Sequence, residues 1–347
     1  MNNPFSMVFG KEPSAMILRI DQTNQILESI SSTNPAYQAY MITGVRGSGK
    51  TVMLTNIIHL LAKQPDWIII ELNPERDMLQ SMVSKLCADE ELYKLFQRAR
   101  INLSLFGLGI EIEGKTPETD VEVTLIKMLE SIKKQGKKVL IAIDEVSNNE
   151  YMRVFASSFQ MFVRHDLPVF MVMTGLYENV DDLQNEKTLT FLYRAPKVIM
   201  TPLNFGAITA QYEKTLKVDR PTAIEMARLT MGYPLAFQLL GYLCFENGGD
   251  YRDQIPEYRQ SLEDLVYIKI WSELSRKDKQ VSHAIARSKD GKISDIRDTL
   301  KCSSNEFNPY RDRLIKKGII NGDERGYVRF TLPLFAEFVN ETYEFAD

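Results

Sequence analysis

Gly44-Val45-Arg46-Gly47-Ser48-Gly49-Lys50-Thr51 follows the run Ala39-Tyr40-Met41-Ile42-Thr43 and precedes Val52, Leu54, Ile57, Ile58 and Leu61. The first run has the length and apolarity of a short buried strand, and the later positions recur at helical spacing. The glycines therefore fall in a strand-to-helix turn. The spacing G-x-x-x-x-G-K-[ST] gives each fixed residue a mechanical task. Gly44, Gly47 and Gly49 let backbone N–H groups close around phosphates, with Val45, Arg46, Ser48 and Val52 supplying the rest of the cradle. Lys50 reaches the β and γ phosphates, and Thr51 holds Mg²⁺. The plain alternative is a glycine-rich turn that happens to precede a core helix.

A partner motif weighs against that alternative. Val139-Leu140-Ile141-Ala142-Ile143-Asp144-Glu145 is an apolar strand ending in two carboxylates. Asp144 can orient Mg²⁺ and Glu145 can take a proton from an attacking water. Two further apolar runs, Trp67 to Leu72 and Val169 to Met173, alternate with stretches of helical periodicity, which predicts a parallel sheet with helices on both faces. Thr174 ends the last of these strands. If that strand lies between the other two, its hydroxyl sits beside the γ-phosphate, whereas a bland reading makes it a strand terminator. Asn73 could hold Glu145 away from water, although Asn73-Pro74 is also an ordinary turn signal. The segment 101–114 alternates apolar with small or polar residues and reads as an inserted β-ribbon.

Past Pro202 the strand runs stop. Segments 207–217, 221–231 and 234–246 carry helix signals, with Pro221 and Pro234 at their starts. They predict a small helical lid. Helices near 278–288, 294–300 and 304–317 are followed by Ile319-Ile320, a polar turn and 327–331, the order of a winged helix. The expected division is 1–204 for the α/β ATPase domain, 205–275 for the lid and 276–347 for the winged helix.

The remaining composition mainly excludes. The chain has 347 residues, 44% of them hydrophobic and 25% charged, with no apolar run long enough to span a bilayer and no secretory pattern at its start. A cytoplasmic protein is expected. Cys87, Cys244 and Cys302, and likewise His59, His165 and His283, are too scattered for a disulfide framework or a transition-metal site. The formal net charge is −4, yet 277–329 holds thirteen Lys and Arg against eight Asp and Glu. In 303–317, Phe307, Tyr310 and Leu314 share a helical face and should point to the core. Asn305, Asn308, Arg311, Lys316 and also Arg313 would then face outward, a set suited to phosphate and base-edge contacts with duplex DNA. The acidic tip Asp323-Glu324 fits a protein-docking surface better.

These motifs together resemble the AAA+ and STAND-like ATPases, particularly proteins akin to archaeal origin-recognition ATPases. The resemblance begins at Asn3-Pro4-Phe5, Phe9-Gly10 and Leu18-Arg19, where such proteins carry a segment packed against adenine. It runs through both motifs above to Phe191-Leu192-Tyr193-Arg194 and Gly232-Tyr233-Pro234-Leu235-Ala236, which is similar to the Gly-x-Pro motif of STAND lids. It implies a P-loop NTPase fold of the AAA+/ASCE type with lid and winged helix. It implies that Arg194 meets the γ-phosphate, in its own subunit or a neighbour's, and that Pro234 touches base or ribose. Relatives usually have a glycine before the arginine that stands here as Arg19. The lid also lacks the arginine many AAA+ proteins carry, which favours a switch over a ring motor. The expected activity is ATP hydrolysis driving a molecular switch whose winged helix binds DNA. The alternative is a nucleotide-dependent sensor or scaffold that binds protein or assembles with itself.

Overall fold

The computed structural model describes residues 2–8, 10, 12–103 and 120–344. The β-ribbon expected over 101–114 lies outside the described residues from 104 onward. Two compact bodies are present. One comprises 20–43 and 50–199, and the other comprises the described parts of 1–19, 44–49 and 200–347.

In the first body, β1 (Ala39–Thr43), β2 (Trp67–Leu72), β3 (Lys138–Ile143), β4 (Val169–Gly175) and β5 (Lys197–Ile199) form one sheet in the order β2-β3-β4-β1-β5. All four pairings are parallel. Every residue of β1 and β4 is buried, as central strands covered on both faces require. One face of the sheet presents Met41, Ile141 and Met171 to helices Met78–Ala88, Val121–Lys134 and Glu150–Arg164, whose Met82, Leu129 and Phe155 are inaccessible to solvent. Helix Lys50–Ala62 also packs against β2 and β4. The order places β4 between β1 and β3, with Met173 opposite both Met41 and Ile143. The carboxyl ends of β1, β3 and β4, which carry the candidate residues, therefore lie side by side. Strand β5 went unread in the sequence because three residues with exposed Lys197 and Ile199 show no strand-like apolar run.

The second body is helical. Helices Phe205–Leu216, Arg220–Thr230 and Pro234–Asn247 fall on the three segments read as helical, and prolines stand at the starts of the last two. Proline is favoured there because its missing N–H would be unpaired anyway. Tyr212 is buried among Phe5 and Phe237, and its hydroxyl donates to the Phe237 carbonyl at 2.8 Å. Phe5 occupies the space over Gly241 that any larger side chain would fill, its ring 2.4 Å from where a Cβ would stand. Burying that ring contributes about 2–3 kcal/mol to anchoring the N-terminal segment.

Further along, Arg276–Arg287, Ile293–Leu300 and Ser304–Lys316 are followed by the antiparallel pair β6 (Ile320–Asn321) and β7 (Arg329–Phe330). Three helices and a hairpin appear in the predicted order. A closing helix, Phe335–Glu344, was not read from the sequence, and it brings Phe335 and Phe338 against Tyr267.

Candidate nucleotide site

In the first body, Lys50 and Thr51 open helix Lys50–Ala62, so their positions follow from the helix beginning where the glycines end. The Thr51 hydroxyl donates to Asp144 Oδ2 at 2.9 Å. Two oxygens that metal chemistry would recruit are thus already in contact, although 93 residues apart in sequence. Asp144 and Glu145 follow β3 directly. Glu145 is exposed and has a backbone φ of +54°. That region costs a non-glycine residue about 1–2 kcal/mol and needs support from its surroundings.

Thr174 supplies the support. It is fully buried, its hydroxyl donates to Asp144 Oδ1, and it accepts the Glu145 N–H at 3.1 Å. Its carbonyl accepts the Val146 N–H at 2.8 Å. Asn73, by contrast, accepts the Glu75 N–H at 2.9 Å in a local turn and makes no bond to Glu145 among the described residues. The turn-signal reading of Asn73-Pro74 therefore describes it. Arg194 ends a short 3-10 turn, Thr190–Arg194, and is exposed without a side-chain partner among the described residues.

In the second body, the loop residues Gly44 to Gly49 are tied to the lid and to the N-terminal segment. Ser48 donates its N–H to the Val45 carbonyl at 3.2 Å, closing a turn with Gly47 at φ +70°. The Arg46 carbonyl accepts the Tyr233 hydroxyl, and the Gly47 carbonyl accepts the Leu235 N–H at 3.2 Å. Arg46 also pairs with Glu273 at 2.8 Å. Pro234 lies 3.8 Å from the position a Cβ on Gly49 would take. Arg19 donates to the Ser48 carbonyl at 3.1 Å and to the Thr201 carbonyl, and burial lowers its guanidinium to about 10. Arg19 remains a cation at neutral pH and braces the end of the loop.

The residues present suit a magnesium-bound nucleoside triphosphate. A Cβ at Gly44 would stand 2.7 Å from Ser48 Oγ and 2.9 Å from Met200 Cβ, so the loop tolerates only glycine there. The buried hydroxyls Thr43 Oγ1 and Ser48 Oγ have no hydrogen-bond partner among the described residues. Buried hydroxyls left unpaired are uncommon and mark a place where a polar ligand belongs.

Among the outward set expected on helix Ser304–Lys316, Asn305, Asn308 and Lys316 are exposed, while Phe307 and Leu314 are buried and Tyr310 is half-buried. Arg313 is a correction. Its guanidinium grips Asp278 Oδ1 at 2.7 and 2.9 Å, with Asp278 only 2% exposed, so it serves the interior of the module. Arg311 is half-buried, lies against Gly322 and bonds its neighbour Asp312 at 3.1 Å.

Residues 19–168 match a family described as an ATPase domain predominantly from Archaea, and 264–339 match a domain family of unknown function. The first of these matches covers less than half of the chain, and the solved structures below show a likeness of fold. Among solved structures it is similar to a Walker-type ATPase of Pyrococcus abyssi, at TM-score 0.64 and 16% identity over 93% of this chain and 96% of that one. It is also similar to the Aeropyrum pernix ORC2 protein, solved as ADPNP-ADP complexes, at TM-score 0.51 and 12% identity over 94% and 93% of the two chains. A curated relative, the bovine small ribosomal subunit protein mS29, is 38% identical over 77 residues. That match spans 20% of this chain and 19% of the relative.

Proposed function

We propose that the protein binds ATP with Mg²⁺, hydrolyses it, and uses the nucleotide state to switch a C-terminal winged helix that binds DNA. The observation that carries this reading is the Thr51–Asp144 contact at 2.9 Å, with Glu145 next in the chain and open to solvent. In this reading Gly44 to Gly49, Lys50 and Val52 cradle the phosphates, and Pro234 covers the loop from the lid. Thr51 and Asp144 hold Mg²⁺, whose chemistry is to neutralise charge on the phosphate oxygens. Glu145 accepts a proton from water at its carboxylate. Arg194, exposed and without a side-chain partner among the described residues, offsets charge at the γ-phosphate in its own subunit or a second copy's. Thr174 acts from beneath the two carboxylates. The division into 1–204, 205–275 and 276–347 belongs to the same proposal, as does a cytoplasmic location. No helix of the described residues is long and apolar enough to cross a membrane.

One observation favours a second reading, in which the winged helix docks a protein. Two of the arginines that would have met phosphates, Arg311 and Arg313, are engaged within their own module.

Glu145→Gln tests the hydrolysis. The variant should bind ATP as the parent does and lose turnover by at least about a hundredfold, read as phosphate release in single-turnover conditions. Unchanged turnover would remove Glu145 as the base.

A further inference from the structure

The turn Val45 to Ser48 is closed by the Ser48 N–H bonded to the Val45 carbonyl at 3.2 Å, and its third residue, Gly47, has φ +70°. Arg46, its second residue, does not have positive φ. That combination is a type II turn, which differs from type I chiefly in the orientation of the central peptide unit, here Arg46–Gly47. A planar trans peptide points its C=O and its N–H in opposite directions. Whatever holds the Arg46 carbonyl therefore also aims the Gly47 N–H, one of the donors a phosphate-binding loop offers.

The Tyr233 hydroxyl holds that carbonyl. Tyr233 is 4% exposed, and burial pushes its phenol well above its ordinary range, so it is a donor at neutral pH. The neighbouring Leu235 N–H takes the Gly47 carbonyl at 3.2 Å. Gly47 is one of the four variable positions in the phosphate-loop spacing, yet it is glycine. A Cβ there would stand 2.3 Å from Tyr233 Oη and 3.0 Å from Leu235 Cβ. Its positive φ and its fit to Tyr233 are both physical reasons for glycine at a position the G-x-x-x-x-G-K-[ST] spacing leaves open.

We propose that Tyr233 is a positioning residue that sets the Arg46–Gly47 peptide from the lid, turning the Gly47 N–H to the phosphates only while the hydroxyl is seated. This rests on the nucleotide-binding reading above and deepens it. A lid that withdraws Tyr233 frees the peptide to flip to the type I orientation, and grip on phosphate weakens. Lid position and phosphate affinity are then two readings of one hydrogen bond, and by linkage bound phosphate must favour the seated lid by the same factor.

Tyr233→Phe keeps the ring and removes only the donor. Titration of the whole chain with ADP and Mg²⁺, and separately with pyrophosphate and Mg²⁺, should show both affinities falling by about five- to tenfold. The ligand-free melting temperature should move by less than about 3 °C. Parent-like affinity for both ligands overturns the inference. A large fall in ligand-free melting temperature with unchanged affinity also overturns it, leaving Tyr233 a packing residue. Failure of the parent chain to bind ADP overturns the nucleotide-site reading and this inference with it. Gly47→Ala is an independent arm, because its Cβ would displace the hydroxyl. Its affinity should fall at least as far, and unchanged binding overturns the inference however Tyr233→Phe behaves.

Discussion

Thr174 has three hydrogen-bonding links within one turn of chemistry: its hydroxyl to Asp144, the Glu145 N–H to that hydroxyl, and the Val146 N–H to its carbonyl. Together they hold Glu145 at a positive φ it would not choose unaided. Thr174→Val keeps the shape and removes the hydroxyl, leaving Asp144 short of a donor and the Glu145 N–H short of an acceptor. Turnover should fall by roughly ten- to a hundredfold, with ATP affinity changed much less, while Thr174→Ser should restore most of the rate. Parent-like turnover in the valine variant with a loss in the serine variant would show that methyl packing matters instead. The position of Thr174 at a strand end was readable from sequence. Its partners were not, because hydrogen bonds across 29 and 30 residues leave no local pattern. Asn73 shows the opposite case, where the local turn signal was the right guide.

At the scale of elements, helix starts were the most legible feature. Pro221 and Pro234 marked boundaries through short-range chemistry, and the structure adds the capping boxes Ser275 with Asp278 and Ser303 with Glu306, which the sequence reading passed over. The short edge strand β5 carries no comparable mark, and the stretch after Asn247 contains a π-helical turn at Glu263–Tyr267. Arg313 was misplaced for a related reason. Helical spacing says which face a residue occupies but not that a buried Asp278 waits 35 residues earlier. Asp278 closes a capping box and receives Arg313 at once. Asp278→Ala should therefore destabilise the chain by roughly 2–3 kcal/mol in denaturant unfolding, discounted because the Arg313 side chain is 42% exposed. Arg313→Leu should cost less, since Asp278 keeps its bonds to Ser275. Should the two variants be equally mild, the pair is peripheral to the module.

For the whole molecule, the grouping of 44–49 with the C-terminal body could not be read from the motif. The phosphate-loop spacing describes contacts to a ligand, whereas the grouping arises from Tyr233, Leu235, Glu273 and Arg19, none of which the spacing specifies. The same limit governs residues 277–329. The charge excess over 277–329 survives in composition, but Arg311 and Arg313 are paired with acids of their own module, so fewer cations are left for phosphates than their number suggests. If the winged helix binds duplex DNA through its remaining exposed face, about three phosphate contacts are expected. The logarithm of affinity should then fall with a slope near −2.7 in the logarithm of salt, so a fourfold rise in salt weakens binding by about fortyfold. Fluorescence anisotropy with ATP, with ADP and with a non-hydrolysable analogue measures this directly. Lys316→Glu should weaken binding and flatten the slope, whereas Asn308→Ala should lower affinity with the slope unchanged, because an uncharged side chain releases no counterion. Absence of salt-dependent binding in all three nucleotide states would remove DNA from the proposal. The protein-docking reading, which the internal pairing of Arg311 and Arg313 already favours, would then take its place.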